Sequence, residues 1–322
     1  MRKKMLLIYN MFSGKGAIKS KLAEIIYKFN AAGYEVLTHA TQCIGDAEEV
    51  VKKYASEVDL IVCSGGDGTL DEGVSGVIKS GIDVPLAFLP SGSANDFAGS
   101  LGVPKNLLKA ADIAITKEPA YFDVGKFNEF NFTYTAAFGL FTDIAYTTNQ
   151  NLKNVLGYGA YVIEVGKRVF RIPVLKMRVE FDDEVLEDGW FFGMITNSKQ
   201  VGGVKYITGP EVSMDDGVFE MTLVRATRNP IEFTEVLNSI VTGCKCRFVV
   251  RRKVSKVKFI SEEPIKWTLD GEYKGAHTEV DVESLNNAIR LVVPECAKTV
   301  SSDTMLQKAF KSIIDSHVID EK

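Results

Sequence analysis

Histidine, cysteine and long apolar runs are scarce in this sequence. Its 322 residues include three histidines, His39, His277 and His317, and none stands in a serine–histidine–aspartate arrangement, which argues against a hydrolase triad. The five cysteines, Cys43, Cys63, Cys244, Cys246 and Cys296, are odd in number and follow no framework spacing, a pattern that fits a reducing compartment. Cys244 and Cys246 have no second pair or close histidine to complete a zinc site. No apolar run approaches the ~20 residues that span a bilayer. The start, Met1 to Tyr9, is basic and then apolar, but the apolar stretch ends at Asn10 without a small-residue cleavage site; it reads as a buried first strand rather than a leader. The net charge is −4, so the whole molecule is not a polycation built to hold nucleic acid.

What remains is an ordinary globular composition in a chain long enough for two cores. Apolar runs at Leu6–Tyr9, Tyr34–Thr38, Asp59–Cys63 and Val84–Leu89 alternate with helical patterns. Ile18, Leu22, Ile25, Ile26 and Phe29 mark one helix and Gly33 its stop. Ala47, Val50, Val51 and Tyr54 mark another, and Leu70, Val74, Val77 and Ile78 a third. This alternation predicts a doubly wound α/β domain with a mostly parallel sheet. From about residue 121 the pattern changes. Asp123–Lys126, Phe130–Phe138, Val174–Phe181, Trp190–Thr196, Phe219–Val224 and Val254–Ile260 read as strands, with turn chemistry at Asp182-Asp183 and Asp215-Asp216-Gly217. Two helical stretches interrupt them, over 159–171 and 231–242. The expectation is a β-rich, antiparallel, sandwich-like second domain. No internal repeat or low-complexity linker is present. After Ser302 an apolar stripe of Met305/Leu306, Ala309/Phe310 and Ile313/Ile314 predicts a last helix that packs back on the body or serves as a dimer or membrane contact.

Chemistry concentrates at strand ends. Ser64-Gly-Gly-Asp-Gly-Thr-Leu-Asp-Glu72 follows an apolar strand, and it is joined there by Asn10–Gly16 and by Pro90–Phe97. Ligands of open α/β sheets bind beyond the carboxyl ends of the strands. Glycines let backbone amides approach a phosphate, and the helix after them adds its positive end. Asp67 among those amides suits Mg²⁺, although a simple helix-capping turn is the plainer reading. Lys15 offers a point charge to a γ-phosphate. Ser13-Gly14-Lys15-Gly16 lacks the spacing of a Walker A loop, and the charge of Asp67 departs from the dinucleotide fingerprint.

Asn10-x-x-Ser13-Gly14-Lys15, Gly65-Gly66-Asp67-Gly68-Thr69, Gly92-Ser93-x-Asn95-Asp96-Phe97 and Asp270-Gly271-Glu272 together resemble the motif set of the diacylglycerol kinase catalytic family, in its soluble bacterial branch. The resemblance extends from about residue 3 to residue 293. It implies an ATP-binding α/β domain over 1–122, a β-rich domain over 123–293 and an active-site cleft between them; beyond it, the apolar stripe above gives a helical tail over 294–322 expected to pack back on the first domain. It also implies nucleotide contacts from Asn10, Ser13, Gly14, Lys15, Thr41, Gly65, Gly66, Asp67, Gly68, Thr69, Leu70, Asp71, Glu72, Gly92, Ser93 and Asn95. Asp67, Asp96 and Asp123 would form an acidic network around Mg²⁺. Glu272, beside Asp270, would be the general base for the lipid hydroxyl. A structural Mg²⁺ would sit on Asp216 with the carbonyls of Ser213 and Val218. The sequence departs from the branch at Asp71, where asparagine is usual, at Met11, where proline is common, and at Ser93, where threonine is common. A negative Asp71 would be unfavourable beside phosphates.

The expected activity is ATP- and Mg²⁺-dependent phosphorylation of a membrane lipid, with diacylglycerol giving phosphatidic acid in phospholipid metabolism. The alternatives are a kinase of a soluble substrate, as NAD kinases are, and a non-catalytic nucleotide-binding module at the membrane. A cytoplasmic protein in peripheral contact with anionic lipid is expected, through the basic stretch Lys245–Lys258 and the smaller cluster Lys167, Arg168 and Arg171.

Overall fold

The computed structural model describes residues 2–14, 16–92, 95–139, 174–198 and 212–294. Lys15, Ser93, the expected helices over 159–171 and after 302, the Lys167/Arg168/Arg171 cluster and the side chain of Asp96 lie outside what is described.

The first part is built as the alternation predicts. Strands β1 (Lys3–Tyr9), β2 (Tyr34–Ala40), β3 (Leu60–Gly65) and β4 (Leu86–Pro90) are separated by helices α1 (Ala17–Ala31), α2 (Asp46–Tyr54) and α3 (Asp67–Ser80). All four strands pair in parallel, in the order β2-β1-β3-β4. β3 and β4 are buried at every position, as strands covered on both faces must be. The chain steps from β1 to β2 in one direction and then returns past β1 to β3 and β4. Right-handed crossovers therefore put α1 on one face and α2 and α3 on the other. The contacts agree: α2 packs on α3, and α1 packs on α5 (Leu107–Thr116). A short helix, α4 (Asp96–Ser100), precedes α5. Composition allowed α5 but no strong period announced it. Its start is set by Asn106, whose side chain accepts hydrogen bonds from the Leu108 and Lys109 amides at 3.1 Å.

The second part is β-rich and antiparallel. Its strands are β5 (Pro119–Phe127), β6 (Phe130–Phe132), β7 (Thr135–Gly139), β8 (Leu175–Phe181), β9 (Glu184–Thr196), β10 (Phe219–Arg225), β11 (Val249–Val254), β12 (Lys256–Leu269) and β13 (Glu272–Val292); β5–β6, β8–β9 and β12–β13 are hairpins, and helix α6 (Pro230–Thr242) lies between β10 and β11. β7 and β8 both pair with β9 and with β12, at different stretches of those longer strands. The core is aromatic: Trp190, Trp267, Phe127, Phe132, Phe138, Phe219 and Phe259 are fully buried. The Phe138 and Trp267 rings meet at 4.7 Å and 60°.

Three differences from the sequence expectation have local causes. The run Phe130–Phe138 is two strands, β6 and β7, because the amides of Thr133 and Tyr134 are directed to the Asp270 carboxylate rather than to a ladder. The run Val254–Ile260 is broken at Ser255, where β11 ends before β12 begins. The 21-residue β13 is the least expected strand, being mostly polar and only partly buried. It runs antiparallel to β12 and β5, and at Leu291–Val292 it pairs in parallel with Leu86–Ala87 of β4. The two parts thus share one continuous sheet.

Two glycines let α3 lie close to its neighbours. A Cβ on Gly73 would fall 2.6 Å from the Cys63 Sγ, and one on Gly76 would fall 2.6 Å from the Val51 Cβ and 2.8 Å from the Glu48 carbonyl oxygen. Gly76→Ala is expected to destabilise the protein by about 1–3 kcal/mol through overpacking, despite a helix-propensity gain of about 1 kcal/mol. Urea unfolding measures this; a stabilised variant would disprove the tight α2–α3 contact.

Candidate active site

The turning point of the parallel sheet lies between β1 and β3, where successive connections leave in opposite directions, and the motif loops converge there. The Asn10 amide donates to the Ser64 carbonyl at 2.9 Å, and the Asn10 Oδ1 accepts from the Phe12 amide at 2.9 Å. This folds the first loop back toward β3. The Gly65 carbonyl accepts from the amides of Ser91 and Gly92 at 2.8 and 2.9 Å, which draws in the loop after β4. The backbones then approach so closely that side chains are excluded. A Cβ on Gly92 would fall 2.6 Å from the Gly66 Cα, and one on Gly14, whose φ is +56°, would fall 2.4 Å from the Ser91 carbonyl oxygen. Gly66 faces Ser13, whose Oγ would stand 3.6 Å from a Cβ there. Asn95, buried and left-handed at φ 56°, closes its loop through hydrogen bonds with Gly92 at 3.1 and 2.6 Å. Asn10, Ser13, Gly14, Gly65, Gly66, Gly92 and Asn95 are thereby brought together at the N-terminus of α3.

Thr41 joins from the end of β2, and Glu72 from the second turn of α3. The Thr41 amide donates to the Tyr9 carbonyl at 3.0 Å. The Glu72 carboxylate accepts from the amides of Gly45 and Ala47 at 2.8 and 3.1 Å, so it holds the β2–α2 loop in place. Burial raises the Glu72 carboxyl above its ordinary value, against those two donors. Asp67 opens α3 and is half-buried, while Thr69 and Leu70 are buried behind it.

The second part contributes the β12–β13 hairpin. Leu269 pairs with Glu272, leaving Asp270 and Gly271 as a two-residue turn with φ of 51° and 83°; Asp-Gly is the preferred pair for that geometry. The Asp270 carboxylate is buried and accepts four hydrogen bonds: from the Thr133 amide and hydroxyl at 2.5 and 2.8 Å, from the Tyr134 amide at 3.0 Å and from the Thr135 amide at 2.8 Å. So anchored, the turn places Glu272 directly over α3: a Cβ on Gly68 would fall 2.6 Å from the Glu272 Oε1. The other oxygen, Oε2, accepts from the Lys274 ammonium at 3.0 Å. Desolvation works to lower the half-buried Lys274, but Glu272, Asp71 and Asp270 raise it above the usual lysine value.

Asp71 does not open toward solvent. It is buried one turn after Asp67, beside the Asp270 side chain. Burial first, and then the Asp270 charge, push its carboxyl well above the ordinary carboxylate range, with Lys274 partly offsetting them. Burial also raises Asp270, against its four donors. Lys274 and the Asp71–Asp270 contact are features that motif reading did not supply. The only signal in the sequence was the unusual acid at 71.

A second acidic group lies on the 213–218 turn. Asp123 on β5 accepts from the Gly217 amide at 2.6 Å and from the Asn287 amide at 2.7 Å. Burial raises its carboxyl, and the charges of Asp216 and Asp215 add to this. Asp216 meets the Lys253 ammonium at 3.3 Å. Glu220 is 4% exposed, neither of its carboxyl oxygens has a hydrogen-bond partner among the described residues, and burial pushes it up to about 8. Asp216 and Glu220 stand beside Lys253, with Asp123 and Asp215 near Asp216, a carboxyl-rich environment of the kind a hard cation takes. No three His, Cys, Asp or Glu side chains among the described residues converge to hold a metal unaided, so carbonyl oxygens would have to complete such a site.

The basic stretch 245–258 is largely engaged within the molecule. Arg252 pairs with Glu184, Lys253 with Asp216, Lys258 with Glu279 and Arg247 with Glu232, while Arg251 binds Ser239. Lys245 and Lys256 make no ion pair among the described residues. No described helix is long and apolar enough to cross a membrane.

Residues 4–127 match the diacylglycerol kinase catalytic domain. A diacylglycerol kinase of Bacillus subtilis (strain 168) is 33% identical over 293 residues, covering 90% of this chain and 96% of the relative. One from Staphylococcus aureus (strain Newman) is 32% identical over 280 residues, covering 85% and 88%. A crystal structure of a diacylglycerol kinase from Bacillus anthracis str. Sterne superposes with a TM-score of 0.72 at 25% identity, covering 92% of this chain and 98% of that one. With likeness running through both the α/β part and the β-rich part, the chain belongs to the diacylglycerol kinase family, lipid kinases that transfer phosphate to a hydroxyl group.

Proposed function

We propose that this protein transfers the γ-phosphate of ATP, with Mg²⁺, to the free hydroxyl of diacylglycerol, giving phosphatidic acid. The observation that carries the reading is the position of the Glu272 carboxylate over Gly68, at the head of the glycine cradle. Phosphoryl transfer asks chiefly for positioning and charge neutralisation. The amides of the cradle and the N-terminus of α3 supply both to the phosphates. Asn10, Ser13, Gly14, Thr41 and Asn95 line the nucleotide, and Glu72 steadies the β2–α2 loop beside it. The motif match assigns Lys15 and Ser93 to the nucleotide as well. Glu272 accepts the proton of the attacking hydroxyl, and a carboxylate within hydrogen-bond reach is suited to that task. Lys274 orients the Glu272 carboxylate through its hydrogen bond. The acceptor is assigned by the names of the relatives, and its use requires a peripheral visit to an anionic lipid surface. Lys245 and Lys256 are the basic groups of the 245–258 stretch left to meet it.

Asp67, Asp96 and Asp123 are assigned to the acidic network that would hold the catalytic Mg²⁺, whose chemistry is to neutralise charge on the transferring phosphate. Asp216, with the carbonyls of Ser213 and Val218, would hold a second, structural Mg²⁺. The buried oxygens of Glu220, which accept no hydrogen bond among the described residues, support a cation there.

With γ-labelled ATP and diacylglycerol in mixed micelles, Glu272→Gln is expected to lower kcat by about 10²–10⁴-fold with little change in the KM for ATP, and Asp67→Ala to abolish transfer. A Glu272→Gln variant at full activity would remove the base assignment. Chelation of Mg²⁺ is expected to lower the Tm of the wild type by several degrees and to leave Asp216→Ala unmoved. An identical response of the two proteins would remove the structural site.

A further inference from the structure

Asp71 is a buried acid for which the reaction as described has no use. It is 9% exposed, and its Oδ1 has no hydrogen-bond partner among the described residues. Across the contact between the two parts it meets Asp270, 7% exposed, whose two oxygens already accept four hydrogen bonds from residues 133–135. Two ionised carboxylates are acceptors only and repel; when they touch in a buried place, one keeps a proton. The donors around Asp270 favour its ionised form. Apart from Asp270, the charged groups facing Asp71 are Lys274 and Glu272 on β13, of opposite effect. Tyr134, whose hydroxyl would lie 3.9 Å from a Cβ on Gly271, adjoins the turn. Asp67 and Glu72 share the helix.

We infer that Asp71 carries the proton and donates it to the Asp270 carboxylate, and that this O–H···O⁻ bond keeps the β12–β13 hairpin seated on α3 with Glu272 in place over Gly68. Asp71 is then a positioning residue that acts through Asp270. The inference rests on the assignment of Glu272 as base. A charge-assisted bond of this kind is short and strong, and it is lost on ionisation, when two adjacent buried charges would drive the hairpin from the helix. The raised carboxyls of both residues agree with a shared proton. The sign of the linkage follows. The folded state holds the proton longer than the unfolded chain does, so the stabilisation is complete below the ordinary aspartate value of 3.8 and is lost as pH rises through the folded value.

The test compares wild type, Asp71→Asn, whose amide is a permanent donor, and Asp71→Leu, which has none. kcat and KM are measured against pH with diacylglycerol micelles, and the infrared carbonyl band of a protonated carboxyl is recorded at neutral pH. The wild-type kcat is expected to fall on the alkaline side by up to about tenfold per pH unit, the limit for one ionisation. Asp71→Asn should lack that limb, so that its kcat relative to wild type rises with pH. Asp71→Leu should have a lower kcat at every pH with the KM for ATP unchanged. Glu220, pushed up to about 8, contributes a protonated-carboxyl band to both proteins, so the wild-type minus Asp71→Asn difference spectrum should retain one further protonated-carboxyl band. An unchanged alkaline limb in Asp71→Asn, or no protonated-carboxyl band in the wild-type minus Asp71→Asn difference spectrum, overturns the inference. If Asp71→Leu fails to fold, the Asp71→Asn profile and the band decide alone. Full activity of Glu272→Gln would overturn the base assignment while leaving the band intact, so the two failures are distinguishable.

Discussion

Asp270 sits in a left-handed turn that holds its side chain against residues 133–135, and its four hydrogen bonds fix where the second part of the molecule touches the first. Hydrogen bonds to a charged group contribute about 1.5–3 kcal/mol each, and the buried carboxylate would be costly without them. The same bonds explain why β6 stops and β7 starts, since two amides are withdrawn from any ladder. They also set the height of Glu272 above Gly68. One anchored side chain therefore governs a strand break, a turn and the location of the candidate base.

Around that anchor the glycines do the opposite work: they exclude side chains so that backbone can approach backbone. Gly14, Gly66 and Gly92 bring three loops from three strand ends within contact of each other, and an alanine at Gly14 or Gly92 would strike backbone atoms. The resulting surface is made of peptide groups, which suits phosphates of any nucleotide and carries little information about the base or the acceptor. Specificity for the acceptor must come from the other side of the cleft, where Glu272 and Lys274 stand.

Much of this was legible in the sequence because it is local. The short apolar runs of β1, β3 and β4, the helical spacing of α1 to α3 and the glycine motifs each lie within a short window. Helix α6 was readable for the same reason. What escaped notice depends on distant partners. β13 is a strand because β12, β5 and β4 supply its ladders, and within 272–292 only the short alternation around Val280 and Val282 hints at it. The short α5 is rich in alanine and is held by α1. Asp71 illustrates the limit best. In sequence it is a negative charge four residues after Asp67, unwelcome beside phosphates; in the fold it is turned against Asp270, some 200 positions away, where a proton makes it a donor.

The pairing of β13 with β4 has a consequence for how the chain comes to be folded. Leu291 lies beside Leu86, and Arg290 bonds Asp83 across a sequence separation of 207 residues. On a ribosome, β1 to β4 emerge early, yet the outer edge of β4 stays without its neighbour until nearly all of the described chain has been synthesised. Contacts of such separation slow folding, because the loop must close before the pairing rewards it. An apolar sheet edge that waits so long is open to mispairing with another nascent copy. The chain order thus makes completion of the α/β half one of the last events of synthesis rather than one of the first.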